Sequence, residues 1–396
     1  MADTPGSPPP NPAAAAPPPE AALLAAAAAG DLPTLTALLS SGADPAWQCD
    51  ATGTSPLMVA ATAGAAPCVS ALLAAGAPWN AVDRGGACAG ELANGAGHGE
   101  AAEALFEAGV RAELVLGALE SALRGRAQPS PPPAAAASAS TSAAAPPPST
   151  PPAPGYLDQA LSYAPGPDGA ARLADEQGRG VMMGWEAPLM VAHAHAVCRR
   201  PAGQGGEGGE AATHVLNIGF GLGLVDSAIA ARAPTTHTIC EPHPDVLARM
   251  RSEGWFERPG VSVIPLTWQA AWAEGRLHPP AGAPASKFTG VFFDPFEEAD
   301  DNVTAFHDTA LPHLLAPGGT YSFFNGLNAD NPFFHAVSCE VVARRLRSAG
   351  LEVAYVPLPL PADATASATW GGVTNRYWQL ETYSLPVVTW EDDEGE

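Results

Sequence analysis

Three alternating glycines interrupt an apolar stretch, VLNIGFGLGLVDSAIA, at residues 215–230. Gly219, Gly221 and Gly223 end a predicted strand and precede a helix-like apolar pattern. Glycine accepts a tight turn and has no Cβ, so the backbone at such a turn can approach a ligand closely. Glu241 ends the next predicted strand, about twenty residues on, where a carboxylate accepts hydrogen bonds from ribose hydroxyls. Together these residues predict a site for a nucleoside-containing cofactor.

The spacing of the glycines narrows the choice of cofactor. A dinucleotide is usually bound by G-x-G-x-x-G, whereas here the third glycine comes one position early. The turn also lacks the lysine of a triphosphate-binding loop. A G-x-G-x-G turn with a following acidic strand end resembles the turn of S-adenosylmethionine-dependent methyltransferases with a Rossmann-like sheet. For the glycines alone, an ordinary strand-to-helix turn is the alternative interpretation.

Two more acidic residues are candidates for chemistry. Asp294 ends the predicted strand FTGVFFD, and the carboxyl ends of parallel strands form the ligand-binding edge of a doubly wound sheet. Glu186 follows Trp185 in the stretch VMMGWEAPLM, upstream of the glycine strand. Taken singly, Glu186 is better explained as a solvated acid at a helix start, and Asp294 as a helix N-cap.

Five motifs taken together resemble a known family. They are VMMGWEAPLM, NIGFGLGLVD, EPHP, TWQ and FFDPF. The set is similar to guanidinoacetate methyltransferase, and it more strongly resembles the protein-modifying relative of that enzyme, the type IV protein arginine N-methyltransferase. That family methylates the internal (δ) nitrogen of an arginine and carries ankyrin-like repeats ahead of its catalytic domain. The resemblance covers residues 21–124 and 156–390.

The resemblance implies that Glu186 and Asp294 bind the guanidine as catalytic carboxylates. A guanidinium is planar, has five N–H donors and pairs with carboxylates in a bidentate fork. Because its pKa lies above about 12, it is a poor nucleophile until a proton is lost or its charge is localised. Two carboxylates can hold the plane and direct one nitrogen at the methyl group, and one of them can accept the departing proton.

The predicted cofactor contacts extend beyond the glycine turn. Trp268 and Gln269 follow the third predicted strand, where an aromatic face can pack on adenine and an amide can hydrogen-bond beside it. Packing of Trp268 on a helix is the alternative. The resemblance adds Tyr163, Met182 and Met190, for which a place in the core is an equal alternative. The complete predicted set is Tyr163, Met182, Met190, Gly219, Phe220, Gly221, Leu222, Gly223, Leu224, Val225, Glu241, His243, Trp268, Gln269 and Asp294.

Two local features bear on the chemistry predicted for the site: a departure from the family motif at Pro295 and a pair of histidines. Pro295 stands where relatives commonly have a threonine after the aspartate, so this chain lacks that hydroxyl and a backbone N–H. His193 and His195 are two positions apart on a predicted helix. Their imidazoles therefore diverge, and we predict no metal site.

The elements that must position these residues form an α/β pattern over residues 156–390. The apolar strands HVLNIGF, THTICE, GVSVIPL, FTGVFFD and GTYSFF alternate with helical stretches. LEVAYVPLPL and RYWQLETYSLPVV then follow each other without a helix between them. This order predicts a Rossmann-like, class I methyltransferase sheet of parallel strands, closed by an antiparallel C-terminal hairpin.

An all-α repeat domain is predicted ahead of it, over residues 21–124. Gly30, Gly64 and Gly97 recur at spacings of 34 and 33 residues, and SPLMVA at residues 55–60 resembles the ankyrin start T-P-L-H-x-A. An Ala-rich helical bundle is the alternative. We expect residues 1–20 to be disordered, residues 125–155 to be a Pro/Ala-rich linker and residues 391–396 to be a solvated acidic tail.

Composition excludes several classes of protein. The formal net charge of −23 argues against a nucleic-acid-binding protein, which needs basic surface to neutralise phosphates. A negative field would attract a basic protein, although solubility explains the charge equally well. The six cysteines include no CxxC pair, which favours a reducing compartment. No apolar stretch reaches the ~18 residues that span a bilayer, so we expect no membrane contact. We also expect a monomer, located in the cytoplasm and nucleus.

These observations lead to one function and two alternatives. The first is S-adenosylmethionine-dependent methylation of the δ nitrogen of an arginine in a protein, which the resemblance implies is a large-subunit ribosomal protein. The second is methylation of a small, guanidinoacetate-like substrate, although Arg and Lys to bind its carboxylate are scarce here. The third is a non-catalytic ankyrin scaffold, against which the intact glycines and carboxylates argue.

Overall fold

The computed structural model describes residues 19–127, 155–166, 169–199, 212–279, 287–296 and 301–391. The chain divides into two compact units, residues 1–129 and 130–396. The predicted disordered start (1–20), linker (125–155) and acidic tail (391–396) lie mostly outside the described residues. At their edges, Pro19 and Glu20 already belong to the first helix, and the last helix of the first unit runs to Ala127. The helices of the first unit therefore begin before and end after the predicted repeat domain, residues 21–124.

The first unit is a stack of paired helices, as the repeat predicts. Within residues 19–127 these are α1 (Pro19–Ala29), α2 (Leu32–Ser40), α3 (Pro56–Thr62), α4 (Ala66–Ala74), α5 (Ala89–Gly95) and α6 (Gly99–Ala127). Helix α3 packs between α1 and α5, and α4 packs between α2 and α6. Gly30, Gly64 and Gly97 each follow the first helix of a pair with φ of 66°, 68° and 77°, a left-handed conformation that explains why glycine recurs there.

A small antiparallel sheet opens the described part of the second unit. Its strands, β1 (Ser162–Pro165), β2 (Ala171–Ala174) and β3 (Gly180–Met183), pair in the order β1-β2-β3. The sequence did not predict this sheet, because strands of four residues are too short to show a period-two pattern. Strand β3 leads directly into the turn that carries Glu186.

The main sheet of the second unit confirms the predicted fold class. Its strands are β4 (His214–Ile218), β5 (Thr236–Cys240), β6 (Val261–Ile264), β7 (Phe288–Phe293), β8 (Leu315–Phe323), β9 (Leu351–Pro359) and β10 (Thr382–Trp390). They lie in the order β6-β5-β4-β7-β8-β10-β9. Strands β6, β5, β4, β7 and β8 are parallel, whereas β10 is antiparallel to both β8 and β9. The predicted parallel sheet is thus closed by the predicted antiparallel hairpin.

Helices cover both faces of this sheet. They are α7 (Ala187–Val197), α8 (Leu224–Ala230), α9 (Pro244–Ser252), α10 (Trp268–Ala273), α11 (Asp301–Thr309), α12 (Leu311–Leu314) and α13 (Pro332–Ser348). Val215 and Phe292 pack in one cluster with α7 and α8. Their neighbours Leu216 and Phe293 pack in another, with α10 to α13. Successive strand residues thus point to opposite faces, and the strand ends are left free to form a site.

Among the residues that the structure describes, no helix combines the length and the apolar character needed to cross a bilayer.

Candidate active site

The glycine turn lies between β4 and α8, where backbone and side chains crowd it from several sides. Gly219, Gly221 and Gly223 all have positive φ, at 90°, 55° and 70°. A Cβ on Gly219 would collide with the carbonyl oxygen of Asp294. A Cβ on Gly223 would lie 2.5 Å from the Phe220 ring. The chain itself therefore requires glycine at these positions, which confirms the tight turn.

Glu241 ties the turn to the end of β5. Its Oε2 accepts a hydrogen bond from the backbone N–H of Phe220 at 2.9 Å, and its Oε1 accepts one from that of His243 at 2.7 Å. The residue is only 5% exposed. Burial raises the pKa of this carboxyl to about 7, while the backbone hydrogen bonds oppose the rise. Each oxygen keeps a further lone pair, so Glu241 can order the turn and still accept a ligand hydroxyl.

A buried polar network beneath the turn was not predicted from the sequence. The side-chain amide of Asn217 donates to the carbonyl of Gly219 at 2.6 Å and to the carboxylate of Asp226 at 2.9 Å. His237 Nε2 lies 3.0 Å from Asp226 Oδ1. The three side chains are at most 2% exposed. Because they come from β4, α8 and β5, they fix the two strands and the helix on which the turn depends.

Two residues predicted as cofactor contacts, Tyr163 and Met182, do reach the turn. The Tyr163 hydroxyl donates to the carbonyl of Gly221 at 3.3 Å, and the backbone N–H of Leu222 points at Met182 Sδ at 3.3 Å. Both side chains come from the small antiparallel sheet, which therefore covers one side of the turn. Met190 differs, because it is fully buried in a core cluster on α7. Its placement favours the packing alternative.

Other predicted contacts have side chains that serve the fold. Phe220 and Val225 are at most 1% exposed and lie in core clusters. His243 uses both ring nitrogens within the chain, since Nδ1 accepts from the N–H of Asp245 at 3.1 Å and Nε2 contacts the carbonyl of Gln159 at 3.1 Å. The His243 ring thus caps α9. The backbone of Phe220 and Leu222 forms part of the turn, whereas Leu224 and Val225 begin α8.

Trp268 and Gln269 begin α10, beyond the end of β6. Trp268 is 4% exposed and packs edge-on against Phe293 and Phe306, with ring centroids 6.2 and 5.3 Å apart. This is the helix-packing role that the sequence left open. Its indole N–H is buried and has no hydrogen-bond partner among the described residues. Gln269 is exposed. Trp268 therefore keeps one buried donor for a ligand, since an unsatisfied N–H is costly.

Glu186 is buried, unlike the solvated acid that was the alternative. It lies in the 3-10 turn Gly184–Glu186, ahead of α7, and is 2% exposed. Its Oε1 accepts hydrogen bonds from the backbone N–H of Met183 at 2.8 Å and from the hydroxyl of Tyr377. Burial raises the pKa of Glu186 to about 7, and both hydrogen bonds oppose the rise. A carboxyl tuned to neutral pH in this way is a marker of functional sites.

Asp294 follows the last residue of β7 and lies beside the glycine turn. Its backbone N–H donates to the carbonyl of Ile218 at 2.8 Å, which joins the ends of β4 and β7. It is not the N-cap of α11, which begins at Asp301. Burial, followed by the negative charge of Glu186, raises the pKa of Asp294 well above its ordinary value. The two predicted carboxylates are therefore close enough to repel each other.

The acids of this site have no positive partner within the described part of the chain. The ion pairs formed there do not include Glu186, Glu241 or Asp294. No cationic side chain is among the causes of their shifted pKa values. Buried acids without a counter-ion are costly in an apolar interior, so the arrangement is suited to positively charged ligands.

An aromatic wall borders Glu186, and sequence reasoning missed it. Trp185 lies 6.0 Å from Trp370, 6.4 Å from Tyr377 and 6.2 Å from Trp378, measured between ring centroids. The last three come from residues 360–381, between β9 and β10. The sequence predicted a strand from Arg376, but β10 begins only at Thr382. In the preceding stretch the backbone N–H of Gln379 donates to the carbonyl of Ala329, in a turn outside the sheet, at 2.8 Å. The run TWGGVTNRYW was the available signal.

A second buried network surrounds His193 and joins α7, β8 and β10. Its Nδ1 is 2.7 Å from Ser322 Oγ and its Nε2 is 2.8 Å from the hydroxyl of Tyr383. The backbone N–H of Asn325 donates to the same tyrosine hydroxyl at 2.8 Å. Burial lowers the pKa of His193 to about 3. This imidazole is therefore a neutral structural link between α7, β8 and β10.

Comparison with known families identifies both units. The family described as ankyrin repeats (3 copies) matches residues 23–114. The family described as guanidinoacetate N-methyltransferase matches residues 167–330. The second match includes the glycine turn, Glu241, Glu186 and Asp294, which are the residues that build the site.

Individual relatives agree with this division. A Cryptococcus neoformans protein named protein arginine N-methyltransferase 2 is 32% identical over 89% of this chain and 90% of its own length. A relative of the same name from Aspergillus oryzae is 30% identical over 80% of this chain and 76% of its own. One from Yarrowia lipolytica is 37% identical, over 59% of this chain and 46% of its own length. The similarity to that last relative thus covers about half of it.

Proposed function

Because the chain belongs to the protein arginine N-methyltransferase 2 family, we propose that it transfers a methyl group from S-adenosylmethionine to an arginine in a protein. The observation that carries the proposal is a set of three acids without a positive partner in the described part of the chain. Glu186 and Glu241 are buried, and Asp294 is half-buried. Both ligands of this reaction are cations. A sulfonium and a guanidinium supply the charge that the site lacks.

The residues present fit S-adenosylmethionine. Glu241 retains lone pairs for ribose hydroxyls, and Trp268 has a buried N–H without a partner among the described residues. The three glycines at positive φ form the tight turn beside Glu241. When bound, the cofactor supplies a methyl group on a positively charged sulfur and leaves as S-adenosylhomocysteine. Tyr163 and Met182 would cover it from the small sheet.

Glu186 and Asp294 would do the chemistry on the substrate side. Their carboxylates accept N–H bonds from the planar guanidinium and orient the nitrogen that receives the methyl group. As the new N–C bond forms, that nitrogen loses a proton. Asp294 is the better acceptor because its pKa is raised well above its ordinary value and no hydrogen bond to its side chain is formed within the described residues. Glu186 keeps its orientation through Met183 and Tyr377.

A protein arginine is favoured over a small guanidine. A guanidinoacetate-like molecule carries its own carboxylate, which would need an Arg or Lys nearby. No such residue is among the groups that shift the pKa of Glu186 or Asp294. The names of the relatives also specify arginine, but they do not specify the nitrogen. The δ nitrogen, and a large-subunit ribosomal protein as substrate, are proposed from the type IV resemblance alone.

The remaining parts of the proposal concern partners and location. We propose that the ankyrin repeats help to dock the protein substrate, that the chain acts as a monomer, and that it works in the cytoplasm and nucleus. The net charge of −23 suits a basic protein as substrate. Neither nucleic acid nor membrane is a proposed partner.

A panel of acceptors tests the substrate class. The full chain is incubated with S-adenosylmethionine labelled on the methyl group, together with ribosomal proteins, guanidinoacetate or no acceptor. We expect label in the protein fraction only. Transfer to guanidinoacetate without protein labelling would establish the small-molecule alternative, and cofactor binding without transfer to any acceptor would establish the scaffold.

A further inference from the structure

One oxygen of Glu186 carries all the hydrogen bonds that described residues make to this carboxylate. Oε1 accepts from the backbone N–H of Met183 at 2.8 Å and from the hydroxyl of Tyr377. No donor from the described residues contacts Oε2. The carboxylate plane is thus fixed through one oxygen, and the other oxygen is left for a ligand. A carboxylate fixed in this way can accept one guanidinium N–H on its free oxygen, while Asp294 accepts another.

The segment that carries Tyr377 is held in place by contacts with the small antiparallel sheet. Arg172 Nη1 donates to the carbonyl of Gly371 at 2.9 Å, and the backbone N–H of Thr374 donates to that of Gly178 at 2.9 Å. The backbone N–H of Gly180 donates to Asn375 Oδ1 at 2.9 Å. These bonds join residues 371–375 to the β2–β3 hairpin. The hairpin leads into Glu186. Both partners of the Tyr377–Glu186 hydrogen bond therefore lie on segments that these hydrogen bonds hold together.

The Tyr377 ring is also constrained. It packs edge-on against Trp370, with ring centroids 4.8 Å apart at 86°. On its other side, a Cβ on Gly180 would lie 3.3 Å from Tyr377 Cε1, so glycine there lets the ring come close. Burial, the charge of Glu186 and the hydrogen bond to it raise the pKa of Tyr377 well above its ordinary value. The hydroxyl therefore stays protonated and can donate to Glu186.

From this geometry we propose that Tyr377 is a positioning residue for methyl transfer, which holds Glu186 ionised and oriented so that Oε2 and Asp294 receive the guanidinium. The inference rests on the proposed function and adds to it a residue that none of the family motifs contains. Tyr377 acts through Glu186 and need not touch the substrate. The other titratable groups acting on Glu186 are Asp294, from the end of β7, and Tyr383, from β10.

The first test is the pH profile of Tyr377→Phe in the full chain. The substitution removes one hydroxyl and leaves the ring in place. A hydrogen bond to a charged group corresponds to about one to two pKa units, so the acidic limb of kcat/KM moves up by about that much. Because the wild-type pKa is about 7, activity at pH 7 falls about 5- to 50-fold, and about half or more of it returns at pH 9. A merely structural role would lower activity equally at every pH.

Tyr355→Phe is the matched control. Tyr355, on β9, donates its hydroxyl to the carbonyl of Cys339 at 3.0 Å, so the control also deletes a tyrosine hydrogen bond but not one to an acid. Its pH profile should coincide with that of the wild type. If Tyr377→Phe also coincides with the wild type, or loses activity by one factor at all pH values, the positioning role is refuted.

The second test does not depend on turnover. The pKa of Glu186 is followed through its carboxyl carbon by NMR of ¹³C-labelled protein, with Glu186→Gln identifying the resonance. We expect about 7 in the wild type and a higher value in Tyr377→Phe. An unchanged pKa overturns the inference even if the protein methylates arginine. An inactive wild type with the expected pKa rise would instead overturn the proposed function and retain the role of Tyr377.

Discussion

The carbonyl oxygen of Asp294 occupies the place that a Cβ on Gly219 would fill. The first residue of the glycine turn and the proposed proton acceptor are therefore in direct backbone contact. The N–H of Asp294 also donates to the carbonyl of Ile218, the residue before Gly219. The cofactor side and the substrate side of the site are thus parts of one junction between β4 and β7.

Gly219→Ala should lower the unfolding free energy by more than a side chain at positive φ usually does, because the new Cβ would collide with the carbonyl of Asp294. Gly275 is the matched control, because it also has positive φ (65°) but nothing lies within 4 Å of its Cβ position. Gly275→Ala should cost about 1–2 kcal/mol of unfolding free energy. Gly219→Ala should cost more and also abolish S-adenosylmethionine binding, measured by calorimetry. Equal costs, with binding retained, would show that the contact with Asp294 is not restrictive.

Glu186→Gln should remove activity and stabilise the ligand-free protein at alkaline pH. Folding raises the pKa of Glu186 from 4.5 to about 7, so its contribution to stability is full below pH 4.5 and is lost as pH rises to 7. The loss is at most about 3 kcal/mol. Glutamine can still accept both hydrogen bonds on its amide oxygen. Denaturant unfolding should therefore show a gain at pH 8 and none at pH 4.

Glu352→Gln serves as the control for that comparison, because Glu352 is exposed on β9. It should change neither activity nor the pH dependence of unfolding. If Glu186→Gln is less stable than the wild type at pH 8, burial of the Glu186 carboxylate does not destabilise the ligand-free fold.

Glu241→Ala should weaken cofactor binding by loosening the turn. Two backbone N–H groups, from Phe220 and His243, would lose a charged acceptor, at a cost of about 1–3 kcal/mol for each buried donor. Calorimetry should then show S-adenosylmethionine affinity reduced by at least about tenfold. Glu253→Ala, which removes an acid from the exposed pair with Arg249, should leave this affinity unchanged. Equal affinities for both variants would contradict a role of Glu241 in the turn.

Trp268→Phe separates a packing role from a binding role. The substitution keeps most of the ring that packs on Phe293 and Phe306 and deletes an N–H without a partner in the described chain. Removing an unsatisfied buried donor offsets part of the lost packing, so unfolding should change by less than about 2 kcal/mol. Cofactor affinity should fall about 5- to 10-fold if the N–H binds the ligand. A stability loss without any change in affinity would assign Trp268 to the core alone.

The sequence predicted the parts of this site that are local in the chain. The glycine turn, Glu241 and Asp294 each follow a strand, and the ends of neighbouring parallel strands must meet at one edge of the sheet. Glu186 came from a motif resemblance, because nothing in its immediate sequence shows that it is buried. The hairpin of β9 and β10 followed from two apolar runs without a helix between them.

The rest depends on contacts between residues far apart in the sequence. Tyr377 binds Glu186 across 191 positions and Arg172 binds Gly371 across 199, distances at which residue spacing carries no information. The packing of Trp268 and Met190 could not be distinguished from ligand contact for a similar reason. An apolar side chain at a strand end looks the same in sequence whether it faces a core or a pocket.

The most direct test of the account is the identity of the methylated product. The full chain, with Glu186→Gln beside it, is given labelled S-adenosylmethionine and ribosomal proteins, and the proteins are hydrolysed to amino acids. We predict that the wild type places the label in methylarginine, as the δ isomer, and that Glu186→Gln places none. Label in any residue other than arginine, or equal labelling by both proteins, would contradict a guanidine site built on Glu186 and Asp294.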